Sequence, residues 1–483
     1  MGRNAIDVSI RRLAVVATLV AAATAGAAED PPPRPPNVIV ILVDDLGWKD
    51  LSCQGSTFHR TPHIDRLAAT GVRFTNGYSA CPVCSPTRAA LLSGQSPARL
   101  HVTDWIAGHE VPDAPLRIPA WTKHLPLEVV TLAERLKGAG YATASIGKWH
   151  LGGEGFGPEA QGFDINRGGT ARGQPPRYFS PYSIPTLADG PAGEYLTDRE
   201  AAEAVAFIEA HRERPFFLYL PHHAVHTPLE AKADAEARLV AAGGKPDRAA
   251  RRGLAIGGDS GPGQGNATYA AMVESVDDAL GAILAALDRL SLRDSTAIVF
   301  TSDNGGLLPI TDNRPLRAGK GSAYDGGVRV PLLIAWPGVS VPGTTSDEPA
   351  ITPDITATIL ELTGAGAEPG QPLDGTSLAP ALRGGRLDRH AIHWHYPHYH
   401  PGGATPFSAI RAGDWRLVRF YESGREELYD LREDPGERID RVTTDPARAA
   451  GLSRDLDAWL AETGAQMPTP NPAFVPKKVS AAP

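Results

Sequence analysis

Short unbroken runs of apolar, largely β-branched residues restrict what this chain can fold into. NVIVILV (Asn37–Val43) has no polar residue after its first. A strand with one wet face alternates apolar and polar, whereas an unbroken run belongs to a strand covered on both faces, as in a parallel sheet. The pattern recurs in YATASI (141–146), PFFLYL (215–220), TAIVF (296–300) and VPLLIAW (330–336). Helical patterns separate the runs. VVTLAERLKGAG (129–140) ends on glycine, as a helix C-terminus does. Residues 197–212 open with Thr197 and place Glu200 three residues later, which predicts a capping box. Tyr269, Met272, Val273, Val276, Leu280, Ile283, Leu284 and Leu287 recur at spacings of three and four, predicting one buried face of a long helix. Strands alternating with helices predict an α/β fold: a large, mostly parallel or mixed sheet flanked by helices, over residues 37–386.

After residue 387 the pattern changes. HWHYPHYH (393–400) is aromatic and histidine-rich, and the stretch to about 430 suggests short antiparallel strands followed by a helix near 447–463. We expect a smaller C-terminal α+β subdomain, residues 387–483, with an antiparallel sheet. At the other end, residues 1–27 carry Arg3, Arg11 and Arg12 before a short apolar stretch and the small residues Ala25-Gly26-Ala27. That is the layout of a signal peptide. PPPRPP (31–36) makes residues 28–36 a stiff leader. The expected product is exported, periplasmic or extracellular, with no stable membrane anchor. A net charge of −8 gives no electrostatic case for binding nucleic acid.

The polar residues at the end of each apolar run suggest chemistry. The first run leads into Asp44-Asp45, the second into Lys148 and His150, the third into His222, His223 and His226, the fourth into Asp303-Asn304. Ligands of open α/β sheets bind outside the carboxyl ends of the strands. A lone Asp-Asp or Asp-Asn-Gly is usually a turn; four such deliveries to one edge suggest a site. Three carboxylates and an amide oxygen form a hard donor set suited to Ca²⁺ or Mg²⁺. Lys320 sits between glycines that permit close backbone approach, which favours an anion pocket. Cys84, read alone, is a small buried residue, a nucleophilic thiol or, with Cys81, half of a zinc site lacking its second pair.

Taken together, the blocks resemble the formylglycine-dependent sulfatases, arylsulfatase-like members of the alkaline phosphatase superfamily. Cys84-Ser85-Pro86-Thr87-Arg88 matches their C-x-P-x-R signature. DDLG, GKWHLG, FFLYLPHHAVHTP, SDNGG and GKGSAYDGGVRVP occur in the family's order. The signature often has Ser at the Thr87 position and Arg at the Gln95 position, so this chain departs from it mildly. The resemblance implies that a formylglycine-generating maturation enzyme oxidises Cys84 to an aldehyde, whose hydrate attacks sulfur. It implies that Asp44, Asp45, Asp303, Asn304 and residue 84 hold one Ca²⁺, and that Arg88 anchors residue 84. It also implies that Lys148 and Lys320 bind sulfate, that His226 protonates the leaving oxygen, and that His150 takes the proton that lets sulfate depart.

Two stretches are candidates for reading the leaving group, HVTDWIAGHE (101–110) and the histidine-rich run. From them Asp104, Trp105, His395 and His398 are expected to bind substrate. The expected substrate is a sulfated polysaccharide or glycosaminoglycan sugar, of galactose or N-acetylgalactosamine type, or an aryl sulfate. The alternative is a phosphomonoester or phosphonate hydrolase of the same superfamily; a non-catalytic glycan binder is the third reading. Cys53 and Cys81 are either packing residues or a disulfide, and Asn266-Ala-Thr268 fits a glycosylation sequon.

Overall fold

The computed structural model describes residues 34–247 and 263–476, besides Met1. The expected signal peptide and most of the leader lie outside the described residues. The described residues from Pro35 onward pack as one compact unit.

Its centre is a sheet of eight strands among the described residues: β1 (Asn37–Val43), β2 (Val72–Phe74), β3 (Ala142–Ile146), β4 (Ile165–Arg167), β5 (Phe216–Pro221), β6 (Thr296–Ser302), β7 (Leu332–Ala335) and β8 (Thr344–Ser346). Their spatial order is β8-β2-β7-β6-β1-β5-β3-β4. β1 is parallel to β5 and β6, and β3 is parallel to β4 and β5. Only β7 runs against its neighbours β6 and β2. β1 shows why its sequence does not alternate. Ile39, Ile41 and Val43 join one core while Val38, Val40 and Leu42 join the other. Fully burying one such side chain contributes about 1.5–3 kcal/mol, so both faces demand apolar residues.

Five helices matter here: α1 (Cys84–Ser93), α2 (Leu132–Gly138), α3 (Leu196–Ala210), α4 (Ala267–Arg289) and α5 (Pro446–Glu462). All ten residues of α1 are buried. Gly94 closes it in the left-handed region, its N–H bonded to Ala90 O. The capping box sits elsewhere than expected. α3 starts at Leu196 with no side-chain cap, so Thr197 lies inside the helix. Glu200 instead is buried and takes His222 Nδ1 at 2.7 Å and His223 Nδ1 at 2.6 Å. A capping box does form on α2, between Thr131 and Glu134. Asn266 caps α4, accepting from Tyr269 N while its amide donates to Ile310 O.

Strands β9 (Ile392–Tyr396), β10 (Phe407–Ala412), β11 (Trp415–Phe420) and β12 (Glu426–Asp430) form an antiparallel meander. One face packs on α5. The other shares a core with the site region: Trp394, Tyr396 and Phe407 pack with Cys81, Val83 and Ala90. A buried charge cluster reinforces that junction. Arg416 of β11 pairs with Asp325 and, at 3.2 Å, with Glu437. Asp325 also accepts from Tyr78 OH at 3.0 Å, and its own N–H donates to Glu437 at 2.7 Å. Cys53, Cys81 and Cys84 are all free, so the Cys53–Cys81 disulfide is not formed.

Candidate active site

Most polar groups of the site follow the end of a β-strand, while Cys84 and Arg88 come from α1 and Lys320 from the long segment between β6 and β7. β1 ends at Asp44 and Asp45, β6 at Asp303 and Asn304, and β3 at Lys148 and His150. Gly147 makes the last of these possible. Its φ is +115°, and a Cβ there would sit 2.1 Å from Pro221 O. Only glycine lets the chain leave β3 so close to β5. The residue before β1's second carboxylate is equally constrained: Asp44 N donates to Ala224 O, and Val225 N returns a bond to Asp44 O. Lys320 N donates to Gly306 O, and Gly321, at φ +80°, packs against the His400 ring. The glycines beside Lys320 therefore serve close approach.

The acidic cluster is buried and cross-linked by cations. Arg88 donates Nε (3.0 Å) and Nη2 (2.7 Å) to Asp303 Oδ2, and Nη1 to Lys148 O at 3.0 Å. Lys148 Nζ lies 2.6 Å from Asp44, and Lys320 Nζ 2.6 Å from Asp45. Burial alone would raise the Asp45 carboxyl, but Lys320 and then His226 hold it below the usual carboxylate range. Burial, followed by the charge of Asp44, raises Asp303. Burial would lower Lys320, yet Asp45 keeps its ammonium above the usual lysine value.

Three oxygens in this cluster accept no hydrogen bond among the described residues: Asp44 Oδ1, Asp45 Oδ2 and Asn304 Oδ1. Asn304 Nδ2 is turned to Asp45 Oδ1 at 2.8 Å, which leaves its own oxygen free. Orphaned buried oxygens cost free energy. Two carboxylate oxygens and one amide oxygen fit a hard divalent cation of the Ca²⁺ kind.

The histidines differ in what their second nitrogen does. His150 Nε2 donates to the Ile106 carbonyl, so the neutral ring presents its Nδ1 lone pair to Cys84 Sγ, 3.3 Å away. Burial, then Lys148, hold the His150 ring well below its ordinary pKa, which keeps it a base. His226 Nδ1 donates to Thr227 O at 2.9 Å, leaving Nε2 facing Asp45 at 3.7 Å. Burial and the Lys320 charge push His226 down to about 3. The anionic oxygens of a bound substrate offset that charge and favour protonation at Nε2. Burial also raises the Cys84 thiol, against the pull of Lys148 and Lys320.

A cavity of about 360 Å³ opens on Cys84, His150, His226 and Lys320, walled by Trp105, Ile106, Gly173, Gln174 and His400 among others. Lys148 is not in that lining; it sits behind, on Asp44. Among the four residues expected to read the leaving group, only Trp105 lines the cavity. Asp104 is buried beneath it, bonded to Trp105 N and Tyr396 OH. His398 lies behind Asp104, with Nε2 bonded to Thr103 at 2.8 Å. His395 is elsewhere, held by Ser408 and Gln466 O. Alternation along β9 explains this: Trp394 and Tyr396 point to the site-side core, which turns His393 and His395 toward the α5 side, where His393 stacks on Trp459.

Residues 36–365 match the sulfatase family, and residues 319–466 match the family described as N-sulphoglucosamine sulphohydrolase, C-terminal. The chain belongs to the sulfatase family. This sulfatase is 31% identical to a sulfatase of Formosa agariphila, over 88% of this chain and 88% of the relative. It is 33% identical to the N-acetylgalactosamine-6-sulfatase of Homo sapiens, covering 83% of this chain and 75% of that one. The crystal structure of Ps i-CgsB superposes with a TM-score of 0.74 at 29% identity, covering 91% of this chain and 95% of that chain. The same protein has been solved in complex with k-i-k-neocarrahexaose. The chain is thus a sulfuric ester hydrolase with an alkaline phosphatase-like fold.

The sulfatase's cavity also has walls that sequence reasoning missed: Ile106, Gly173, Gln174, Leu307 and His400. His400 lies past the end of β9, in the antiparallel meander, where the rule for the carboxyl ends of an open α/β sheet gives no signal. Gly173 and Gln174 come from a long loop with no periodicity to read.

Proposed function

We propose that this sulfatase acts through residue 84 as formylglycine, with one bound Ca²⁺, on sulfate esters of polysaccharide or glycosaminoglycan sugars of galactose or N-acetylgalactosamine type. The observation that carries the reading is the shared cavity: Cys84 Sγ, His150, His226 and Lys320 open on one space, with three orphaned oxygens behind them. Formylglycine supplies an oxygen nucleophile at position 84. Asp44, Asp45, Asp303 and Asn304 would hold Ca²⁺, which supplies Lewis-acid polarisation of oxygen when bound. Arg88 keeps Asp303 oriented and balances its charge. Lys320 faces the sulfate oxygens, and Lys148 adds positive potential from behind Asp44. His226 gives a proton from Nε2 to the departing oxygen. His150 accepts the proton from residue 84 at Nδ1, in the tautomer that the Ile106 carbonyl fixes.

Sugar alkoxides are poor leaving groups, so a placed acid matters most for carbohydrate esters. The N-acetylgalactosamine-6-sulfatase relative and the related neocarrahexaose complex support a carbohydrate leaving group. The N-terminal pattern supports export to the periplasm or the extracellular space. The test is peptide mass spectrometry of the fragment holding Cys84, from protein made in its own host and with a maturation enzyme, alongside sulfate release. We expect a mass reduced by replacement of the thiol with a carbonyl oxygen, and sulfate released from sulfated sugars. An unmodified thiol in an active enzyme would overturn the nucleophile. Turnover of aryl sulfates with no sulfated sugar accepted would overturn the substrate class.

A further inference from the structure

Next to the catalytic cavity is a second, larger groove, of about 710 Å³, whose lining includes Glu110, Arg117, Trp121, Lys123 and Asn471. Its wall is firmly built. Leu116 and Arg117 pair with Thr469 and Pro470 near the C-terminus. Asn471 donates to Pro112 O at 2.9 Å and Ala114 O at 2.8 Å, and accepts from Arg117 Nε at 3.3 Å. These contacts hold the 110–117 loop in one shape.

The groove and the cavity share a partition. Ile106 lines the cavity and Glu110 the groove. Four residues of extended chain span at most about 14 Å. On the facing side, Tyr399 OH accepts from Leu116 N at 3.2 Å, while the next residue, His400, lines the cavity. The core of the partition is Asp104 and His398, whose facing atoms lie 4.0 Å apart. Trp105 covers it toward the cavity, and Trp121, edge-on to His398 at 5.7 Å, covers it toward the groove.

On a chain of net charge −8 the groove's lining carries two cations, Arg117 and Lys123, against one carboxylate, Glu110, with the Trp121 ring among apolar residues. Lys123 Nζ lies 5.4 Å from the centre of the Trp121 ring. No carboxylate lies within ion-pair distance of Lys123 or Arg117 among the described ion pairs. A flat ring flanked by an ammonium suits a pyranose face that carries a sulfate: the C–H face stacks and the anion meets the cation.

We propose that this groove binds a neighbouring sulfated sugar of the same glycan chain whose ester is cleaved in the cavity, so that Trp121, Lys123 and Arg117 set a preference for oligosaccharides over single sugars. The proposal rests on the carbohydrate reading above. The test compares the matured enzyme with its Trp121→Ala/Lys123→Ala variant. Sulfate release is followed on nitrophenyl sulfate and on sulfated galactan oligosaccharides from disaccharide to hexasaccharide. Affinity for the hexasaccharide is measured by calorimetry in a Cys84→Ala background, with and without the groove substitutions.

We expect unchanged nitrophenyl sulfate turnover, which also shows that the variant folds. We expect hexasaccharide affinity and kcat/KM to fall about tenfold, the equivalent of about 1.4 kcal/mol, with the disaccharide affected least. Equal hexasaccharide affinity with and without the groove substitutions overturns the groove. Aryl sulfate turnover without release from any oligosaccharide overturns the carbohydrate reading instead, and the affinity comparison still decides whether the groove binds the glycan.

Discussion

His150 directs Nδ1 at Cys84 Sγ from 3.3 Å because its other nitrogen is committed to the carbonyl of Ile106. His150 and Cys84 are thus paired through a backbone group four residues upstream of the groove wall at Glu110. His150→Gln keeps a polar side chain but removes that basic lone pair. We expect kcat to fall by about 10²–10⁴ with little change in KM. Steady-state kinetics on an aryl sulfate checks this, and a change confined to KM would remove His150 from proton transfer.

His226→Ala should discriminate between leaving groups. A nitrophenolate departs without help, whereas a sugar alkoxide needs a proton. The expected loss is therefore larger for a sulfated sugar than for nitrophenyl sulfate. Equal losses on the two substrates would assign His226 to charge or packing instead of proton donation.

Ca²⁺ should stabilise the fold as well as support turnover, because Asp44 Oδ1, Asp45 Oδ2 and Asn304 Oδ1 accept no hydrogen bond among the described residues. A ligand present at a hundred times its Kd adds about 2.7 kcal/mol. Thermal unfolding of chelated protein should shift upward on Ca²⁺ addition. The shift should shrink in Asn304→Ala, a change that spares all three carboxylates. No shift in the wild-type protein would argue against the donor set.

Burial raises the Asp104 carboxyl from 3.8 to about 7. The folded state then keeps a proton that the unfolded state has lost between those two values. The unfolded state binds fewer protons there, so this group's stabilising contribution falls as pH rises through about 7 and is complete only below about 4. Asp104→Asn removes the dependence. In urea titrations the variant should gain on the wild type between pH 4 and pH 8, by about 1.4 kcal/mol for each pKa unit of displacement. Parallel profiles would show that Asp104 ionises normally.

Arg88→Ala should cost more than a typical core substitution. It leaves Asp303 and Asp44 buried without their guanidinium. Breaking a buried pair from one side costs about 3–5 kcal/mol. Denaturant midpoints measure this, and Ca²⁺ should recover part of the loss by taking over the carboxylate charge.

Much of this arrangement was legible because a strand buried on both faces writes itself as an unbroken apolar run. β1, β3, β5 and β6 were visible that way, and the polar residues at their ends fell together at one edge. The histidine-rich run was harder. Its residues sit on both faces of β9 and on the loop beyond, and composition alone does not say which is which. Strand alternation, applied from Trp394, would have sent His395 away from the site, but β9 ends at Tyr396 and alternation does not separate His398 from His400 beyond it. Glu200 misled for a different reason: Thr and Glu three residues apart mark a helix start only if Thr is the cap, and the cap of α3 is Tyr195, two residues before Thr197. Gln174 and the groove wall at residues 110–123 carry no periodic signal, since long loops take their shape from partners distant in sequence.

The Arg416 pairing with Asp325 and Glu437 has a consequence for how such an enzyme can diversify. Asp325 opens a short helix five residues after Lys320, so the meander's third strand neutralises the segment that presents Lys320 to the cavity. A chain cut before residue 387 would take the buried Arg416 pairing from that aspartate and leave it Arg329, at 3.5 Å, as its cation. The meander is therefore not an exchangeable cassette. On the groove proposal, specificity would change by rewriting residues 104–123 and 397–403, while the strands that carry Arg416 and Trp394 stay in place.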